Sequence, residues 1–242
     1  MQGRKLCPIL FNVFINDLLT KLHNSLRGAT VGKFTLSALG FADDIALIAD
    51  TPESLQALID NCAEWSRTND MSFNVSKCKI LVLNTSKKGL SFRLSDTEID
   101  LVDSVKYLGI TLSRKRQTSH YSEHINQILQ KAETRTNVIR HFGFHSDGLR
   151  PATSIKMYKI LARPILQYAA QVISYKHYFL KDRKAHNIET PTSIVTKLEN
   201  FQNRVLKKLI RCPKATPPAL LRLITGTTPI SARLDMLKLR YH

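Results

Sequence analysis

The stretch LGFADDIALIAD, Leu39 to Asp50, places two adjacent carboxylates, Asp43 and Asp44, inside a run that is otherwise almost wholly apolar. The apolar residues from Phe34 to Ala49 predict two strands, with a break at the acidic pair. Since no other turn-forming polar residue lies there, the turn between the strands must itself carry the two acids.

Two carboxylates about 4 Å apart repel each other by about 4 kcal/mol at an effective dielectric constant of ~20, and apolar neighbours raise that cost. No Lys or Arg lies within several residues of Asp43 or Asp44. A hard divalent ion such as Mg²⁺, which takes carboxylate and phosphate oxygens, would offset the repulsion. The pair therefore indicates a metal site suited to two-metal phosphoryl transfer, with a solvated acidic turn as the alternative.

Charge is divided unequally along the 242 residues, which carry 36 Lys and Arg against 19 Asp and Glu. Residues 1–103 hold 11 basic and 12 acidic residues, whereas residues 104–242 hold 25 and 7, a net charge of +18. This asymmetry favours a polyanionic partner, above all nucleic acid, for the second half. A charged surface that serves only solubility is the alternative.

The pattern of elements predicts an α+β protein, with a mixed half followed by a helical half and a boundary near residue 115. A largely buried helix is expected at 8–22, with Cys7 as its N-cap, and an amphipathic helix after Thr51 and Pro52. Strands are expected at 72–75 and 79–83, followed by short antiparallel strands up to about residue 112. Helices then follow one another, with a kink near Pro164.

Two further features of the composition bear on the class of protein. No apolar run is long enough to span a bilayer, so no membrane partner is expected. Four cysteines are scattered at positions 7, 62, 78 and 212 without a Cys-x-x-Cys pair. This usage predicts reduced thiols and an intracellular location rather than a disulfide framework or a zinc finger.

Several motifs, taken in order, resemble the reverse transcriptases of LINE-type (non-LTR) retrotransposons. FADD at 41–44 is similar to the catalytic hairpin of that family. Its neighbours also match in order: QGRKLCPILFNVFINDLL (2–19), FNVSKCKILVL (73–83), VKYLGITL (105–112), MYKILARPILQYAA (157–170), KLENFQNRVLKKLIR (197–211) and LLRLITGTTPISAR (220–233). Each motif alone is weak evidence, but their common order covers nearly the whole chain.

The resemblance implies roles for five residues of the first half. Asp43 would be the main ligand of Mg²⁺ (or Mn²⁺), with Asp44 as a second acidic group beside it. Gln2 and Gly3 would approach the incoming nucleotide and the template, and Lys77 would lie near the nucleotide phosphates. The implied reaction adds a dNTP to the 3′-hydroxyl of a DNA primer on an RNA template, in the nucleus of a eukaryotic host.

The resemblance also divides the chain into a partial palm at 1–115 and a basic helical thumb and post-thumb region at 116–242. Tyr107, Leu108 and Gly109 would form the primer grip that places the primer 3′ end. The thumb would hold the backbone of the template and primer.

One departure from the family pattern concerns the ligand set. In that family another metal-binding aspartate and the fingers precede the Gln-Gly motif, and here Met1 stands directly before Gln2. The expectation is a fragment that does not polymerise alone. The alternatives are a non-catalytic module that binds RNA or an RNA–DNA hybrid, and an inert remnant. Asp17 and Asp50 are the other carboxylates that could serve as substitute metal ligands. Asp17 is expected to be a solvated residue at a helix end, and Asp50 a surface residue.

The histidines and tyrosines give weaker evidence of a zinc site or of a surface for nucleic-acid bases. The pairs His120/His124 and His141/His145 have a spacing that binds zinc, but no further ligand stands at motif spacing, so surface histidines are expected. Four tyrosines among basic residues could stack on bases, although helical packing is the expected use of the first two: Tyr158, Tyr168, Tyr175 and Tyr178.

Overall fold

A computed structural model of the chain describes residues 6–83, 89–114, 121–143, 148–168 and 191–239. The chain forms two compact units, Met1–Val102 and Asp103–His242. Gln2, Gly3, His120, His145, Tyr175 and Tyr178 lie outside the described residues. Among the helices that the structure describes, none is both long and apolar enough to cross a membrane.

The first unit combines two helices with short strands. Its elements are α1 (Cys7–Asn24), β1 (Ala29–Val31), β2 (Phe34–Leu36), β3 (Ala38–Phe41), β4 (Asp44–Leu47), α2 (Pro52–Thr68), β5 (Lys79–Leu81), β6 (Arg93–Leu94), β7 (Thr97–Glu98) and β8 (Asp100–Val102). The pairs β1–β2, β3–β4 and β6–β7 are antiparallel, and β5–β8 is parallel. The mixture of helices and small, mostly antiparallel sheets agrees with the predicted α+β class.

Helix α2 has the start that its sequence predicts. The Thr51 side chain accepts a hydrogen bond from the Ser54 backbone N–H at 3.2 Å, and Pro52 takes the first helical position. One face of the helix is buried, through Leu58, Ile59, Cys62, Ala63 and Trp65. Part of this face packs on Leu18 and Leu22 of α1, and part on Ile80 and Phe92.

Helix α1 departs from the prediction of a largely buried helix. Ile15, Leu18 and Leu22 are buried, but the opposite face leaves four apolar side chains between 38% and 70% exposed: Ile9, Leu10, Val13 and Phe14. The cap is also different, because Leu6, not Cys7, is the N-cap, and it makes no side-chain hydrogen bond. Apolar residues on most faces show only that burial is favourable; whether a partner covers each face depends on tertiary packing.

Two predictions about strands are wrong in this unit. No strand forms at 72–75, where the backbone instead enters a 3-10 turn at Val75–Lys77, although β5 does form within 79–83. Residues 100–102 pair with β5 in parallel rather than antiparallel. Short apolar runs do not specify the direction of pairing, which is set by the path of the connecting chain.

The second unit begins with a hairpin and continues with helices. Its elements are β9 (Ser104–Tyr107), β10 (Ile110–Ser113), α3 (Ser122–Gly143), α4 (Pro151–Met157), a π-helical turn (Tyr158–Ala162), α5 (Arg163–Gln167), α6 (Pro191–Leu209), α7 (Pro218–Thr225) and α8 (Ile230–Lys238). The hairpin therefore belongs to the same compact unit as the later helices, and the boundary between the two compact units falls at 102/103. Contact between β10 and α3 explains this placement.

The core of the second unit is continuous and contains the residues whose helical spacing predicts burial. Ile125, Ala132 and Ile139 of α3 are buried together with Leu198 and Val205 of α6. The kink expected near Pro164 takes the form of the π-helical turn directly before it. Since Pro164 has no N–H to donate, regular α-helical bonding cannot pass through it.

Candidate functional site

The acidic pair lies on a tight hairpin. Strands β3 and β4 pair so that Phe41 faces Asp44, which leaves Ala42 and Asp43 as a two-residue turn. Ala42 has a φ of 51°, in the left-handed region that residues with a Cβ rarely adopt. The predicted position of the turn at the acids is thus confirmed, with Asp43 in the turn and Asp44 on the first residue of β4.

Packing against the two helices holds this hairpin in place. Gly40 approaches α1 so closely that an added Cβ would lie 2.9 Å from the Leu19 Cδ1 atom. Ile45 and Leu47 of β4 pack against the cluster formed by α1 and α2. Beyond the strands, the Ile48 N–H donates to the Ser37 carbonyl oxygen at 2.9 Å. The turn therefore projects from a base that is fixed on one side by apolar contacts.

The two carboxylates are exposed, and no basic residue within the described ranges neutralises them. Among the residues that the structure describes, none forms an ion pair or hydrogen bond with the side chain of Asp43 or Asp44. Within the described part of the chain, their mutual repulsion is therefore met only by solvent or by a bound cation. Hard carboxylate oxygens suit Mg²⁺ or Mn²⁺, which complete their shells with water and substrate phosphates.

The described residues supply only part of a metal ligand set at this point. Within the described ranges, no group of three or more His, Cys, Asp or Glu side chains is placed to hold an ion. Both substitute carboxylates accept hydrogen bonds from the protein. Asp17 accepts one from the Trp65 indole N–H at 3.2 Å, and Asp50 accepts one from the Thr30 N–H at 2.8 Å. Both therefore have structural partners of their own.

Lys77 lies at the end of the 3-10 turn before β5, and its side chain is exposed. No hydrogen bond or ion pair of the described structure joins it to Asp43 or Asp44. Gln2 and Gly3, the other predicted nucleotide and template contacts, fall outside the described residues. Their roles stay predictions.

The three residues of the predicted primer grip form the tip of the β9–β10 hairpin. Tyr107 pairs with Ile110, so that Leu108 and Gly109 make the turn, with φ values of 45° and 79°. The Tyr168 hydroxyl donates a hydrogen bond to the Leu108 carbonyl oxygen at 2.5 Å. A Cβ on Gly109 would lie 2.8 Å from the same hydroxyl oxygen, so glycine permits this contact.

Helix α3 holds the other end of that hairpin. The Thr111 N–H donates to Nδ1 of His124 at 3.3 Å, and the Thr111 hydroxyl is 2.8 Å from the Gln127 side-chain oxygen. His124 is 2% exposed, and its Nε2 atom is buried without a hydrogen-bond partner among the residues that the structure describes. Burial, followed by the charges of Lys131 and Lys106, lowers the pKa of the His124 imidazole. The neutral ring therefore accepts from Thr111 through its unprotonated Nδ1.

Two side chains at this hairpin were misjudged from the sequence. His124 is buried rather than a surface histidine, and Tyr168, 51% exposed, bonds to a turn carbonyl instead of packing between helices. Tyr158 is fully buried, as predicted. The periodicity of α3 does place His124 beside Ile125 and Ile128 on the buried face, and this is the signal that could have identified it.

Comparison with known proteins gives a match for the region that contains both hairpins. Residues 1–112 match the family described as reverse transcriptase (RNA-dependent DNA polymerase). No solved structure is significantly similar to the chain.

Relatives extend this similarity into the second unit. The RNA-directed DNA polymerase from mobile element jockey of Drosophila funebris is 26% identical over 178 residues, which cover 71% of this chain and 19% of the relative. The Pol polyprotein of the type-2 retrotransposable element R2DM of Drosophila melanogaster is 34% identical over 122 residues. These residues cover 46% of this chain and 11% of that relative. The Pol polyprotein of the type-1 retrotransposable element R2 of Popillia japonica is 30% identical, over 46% of this chain and 20% of that relative. The chain thus spans a fifth or less of these relatives.

Proposed function

Because residues 1–112 match the reverse transcriptase family and the relatives include a mobile-element RNA-directed DNA polymerase and a retrotransposon Pol polyprotein, we propose that this chain contributes to RNA-directed DNA synthesis. The reaction joins a dNTP to the 3′-hydroxyl of a DNA primer on an RNA template and releases pyrophosphate. By family the chain is an enzyme, and its partners are the template, the primer and dNTPs.

The observation that carries this proposal is the exposed acidic turn. Asp43, in the turn, would be the principal ligand of Mg²⁺ or Mn²⁺, and Asp44 the acidic group beside it. When bound, the ion would neutralise charge that develops on the transferred phosphate. The protein contributes the base of the hairpin, where Gly40 lies so close to Leu19 that there is no space for a Cβ.

The finer assignments belong to the same proposal. The first part of the chain would be palm and the basic helical part thumb, with Tyr107, Leu108 and Gly109 at the primer 3′ end. Lys77 would face nucleotide phosphates, and Gln2 and Gly3 the nucleotide and template. The clamp on the Leu108 carbonyl by Tyr168 supports a positioning role for that turn, since its backbone is held at a fixed point.

We further propose that the chain by itself does not extend primers. Two adjacent carboxylates of one turn are a partial ligand set for two ions, and the described residues bring no third acidic, His or Cys donor to them. Binding of nucleic acid without chemistry is the second candidate function, favoured by the +18 net charge of residues 104–242.

Metal binding at the turn is tested by titrating the chain with Mn²⁺ and following free ion by electron paramagnetic resonance. We expect Asp43→Asn with Asp44→Asn to weaken Mn²⁺ binding by at least about tenfold. Asp96→Asn is the matched control, because Asp96 occupies the second position of the two-residue turn between β6 and β7, after Ser95 with a φ of 56°. Equal Mn²⁺ binding by all three proteins would refute the metal site.

Primer extension separates the two candidate functions. The purified chain is incubated with Mg²⁺, dNTPs and an RNA template annealed to a DNA primer, and the products are resolved by length. We expect no extension, together with binding of the annealed substrate. Extension that Asp43→Asn abolishes would contradict the proposed inactivity and leave the polymerase assignment intact.

A further inference from the structure

A groove in the second unit is lined mainly by apolar side chains. It has a volume of about 610 Å³ and lies among α4, the π-helical turn, the segment that follows α6, and α7. Its apolar lining consists of Pro151, Ala152, Ile155, Ile210, Cys212 and Ile224. Among the described residues that line it, none is aromatic or acidic. The groove therefore offers apolar contact area and no negative charge.

Helix α7 continues this apolar surface outside the groove. Leu221 is buried in the core of the unit. Leu220, Leu223 and Ile224 are 46%, 80% and 59% exposed, and their spacing of three and four residues places them on one face of the helix. Ile224 also lines the groove, so the two surfaces are continuous. An exposed apolar surface of this kind is typical of a site where another molecule binds.

Lys156 gives the groove a positive charge that is open to a partner. Its side chain is exposed, and within the described ranges no ion pair or hydrogen bond joins that side chain to another residue. Two carboxylates of the neighbouring helix pairs are engaged elsewhere: Glu133 with Arg204 at 2.8 Å, and Glu199 with Arg222 at 2.7 Å. The ammonium group of Lys156 is therefore available to a carboxylate from outside the chain.

Lys159 places a second ammonium group at the end of α7. It belongs to the π-helical turn, a feature that is frequent at functional sites. Its Nζ atom donates to the carbonyl oxygens of Thr225 at 3.2 Å and Gly226 at 2.8 Å, so one of its three N–H donors is not used by a described residue. Burial and then the charge of Arg163 lower its pKa, as expected where no carboxylate lies beside a cation. Arg211, the other basic lining residue, has an interaction of its own, so the two lysines are the charges that a partner can meet.

The chemistry of the groove favours a protein partner over a nucleic acid. Sites for single strands stack bases on aromatic side chains, which the described lining of this groove lacks. An apolar groove is instead the usual site of an amphipathic helix, which contributes side chains at i, i+3, i+4 and i+7. A second copy of this chain is disfavoured as the occupant because each copy carries a net charge of +17. A helix with an apolar stripe and acidic flanks matches both the apolar surface and the lysines.

We propose that the groove and the exposed face of α7 bind an amphipathic helix of a protein partner, with apolar side chains against Ile224 and acidic residues beside Lys156 and Lys159. Burial of the apolar surface would supply most of the affinity, and the lysines would select acidic over basic helices. This interaction goes beyond RNA-directed DNA synthesis and needs neither the acidic turn nor a metal ion.

The test measures fluorescence anisotropy of a labelled model peptide of about 18 residues, built from Leu, Glu and Ala, at about 0.15 M salt. In the helix peptide the leucines stand at i, i+3, i+4 and i+7, so that they form one stripe. The reference peptide has the same composition and net charge, but its leucines are spread around the helix. We expect the wild-type chain to bind the helix peptide at least about tenfold more tightly than the reference peptide.

Ile224→Gln is the decisive variant, because a side chain that is 59% exposed can become polar with little loss of stability. We expect it to raise the Kd of the helix peptide about tenfold and Lys156→Gln about threefold, with an unchanged midpoint of urea denaturation. Leu223→Gln, at a position that is 80% exposed, is the second variant if the first lowers that midpoint. Val138→Gln and Lys131→Gln, on the exposed surface of α3 and outside the groove lining, are the matched controls and should change the Kd less than about twofold.

Three results would overturn the proposal. Equal binding of the two peptides by the wild type would exclude recognition of a helix face, and an equal loss in the control variants would show diffuse attraction. A loss of affinity for a single-stranded RNA in Ile224→Gln and Lys156→Gln as large as that for the helix peptide would make the groove a nucleic-acid site. Asp43→Asn with Asp44→Asn should bind the helix peptide as the wild type does, so failure of the metal site and failure of the groove are distinguishable.

Discussion

The two hairpins that carry the candidate site residues are held in different ways. The β3–β4 hairpin is fixed at its base by apolar packing, through Gly40 on Leu19, and its turn carboxylates have no partner among the described residues. The β9–β10 hairpin is fixed by side-chain hydrogen bonds, from Tyr168 to the turn and between Thr111 and helix α3. One turn is open to a ligand, and the other has its backbone fixed by its own unit.

This difference separates two kinds of site residue. Charged groups that must bind an ion gain nothing from internal partners, because a partner would compete with the ion. A turn that must place another molecule gains from being held, since positioning depends on a fixed backbone. Substitutions in and around the two hairpins should therefore differ in their effect on stability, and five predictions follow that difference from the largest effect to the smallest.

Gly109→Ala should be the most destabilising, by about 2–3 kcal/mol, because the added Cβ meets the Tyr168 hydroxyl at 2.8 Å and the backbone φ is +79°. Hydrogen–deuterium exchange of peptides covering 104–113 measures the loss. Gly32→Ala is the control, with a φ of +63° and open space around the Cβ, and should cost about 1 kcal/mol in its own hairpin. Equal costs at the two positions would show that the Tyr168 contact is not restrictive.

His124→Ala should destabilise the second unit by about 1–3 kcal/mol, because it leaves the Thr111 N–H without its acceptor and opens a buried space. Urea denaturation followed by circular dichroism measures the change. Faster exchange of the Thr111 amide should accompany it. Unchanged exchange there would mean that His124 does not hold β10.

The same histidine predicts a dependence on pH. The folded pKa of His124 is lowered, so its neutral form supports folding above the unfolded value of about 6.5, and this support is lost as pH falls through the folded value. Protonation places a hydrogen on Nδ1, which can then no longer accept from Thr111. His124→Asn retains an acceptor that does not titrate, so its unfolding midpoint should fall less between about pH 7.5 and 5 than that of the wild type.

Tyr168→Phe should cost about 0.5–1 kcal/mol, since it removes one exposed hydrogen bond to the Leu108 carbonyl and keeps the ring. The expected readout is faster amide exchange at the 107–110 turn with little change in the helices. Uniform exchange across the whole second unit would instead indicate a general loss of stability.

Asp43→Asn with Asp44→Asn should have the smallest effect on stability, within about 0.5 kcal/mol and in the stabilising direction, because it removes a repulsion and no hydrogen bond or ion pair to a described residue. Denaturation without metal measures this. In the presence of Mn²⁺ the wild type should instead be more stable than the double variant, since only the wild type gains stability from the ion. A clear destabilisation without metal would reveal a structural role for these carboxylates.

Much of the local structure could be predicted from the sequence. The cap of α2 at Thr51, the turn at Asp43 and the buried stripes of α3 and α6 follow from short-range chemistry and periodicity, and each is confirmed. The exposed face of α1, the parallel pairing of β8 and the membership of the β9–β10 hairpin could not be predicted. Each depends on which elements meet, and neither residue pattern nor spacing contains that information.

For the candidate sites, too, the sequence predicts local features but not which distant residues meet. The sequence alone directed attention to Asp43 and Asp44, because two adjacent carboxylates in an apolar run repel each other, and the order of its motifs predicted a resemblance to reverse transcriptases that the match of residues 1–112 supports. Only the tertiary structure showed that Tyr168 and His124 hold the hairpin of Leu108 and Gly109. These residues are far apart in the chain, and a hydrogen bond or a shared electrostatic field depends on distance in space, which is decided by packing.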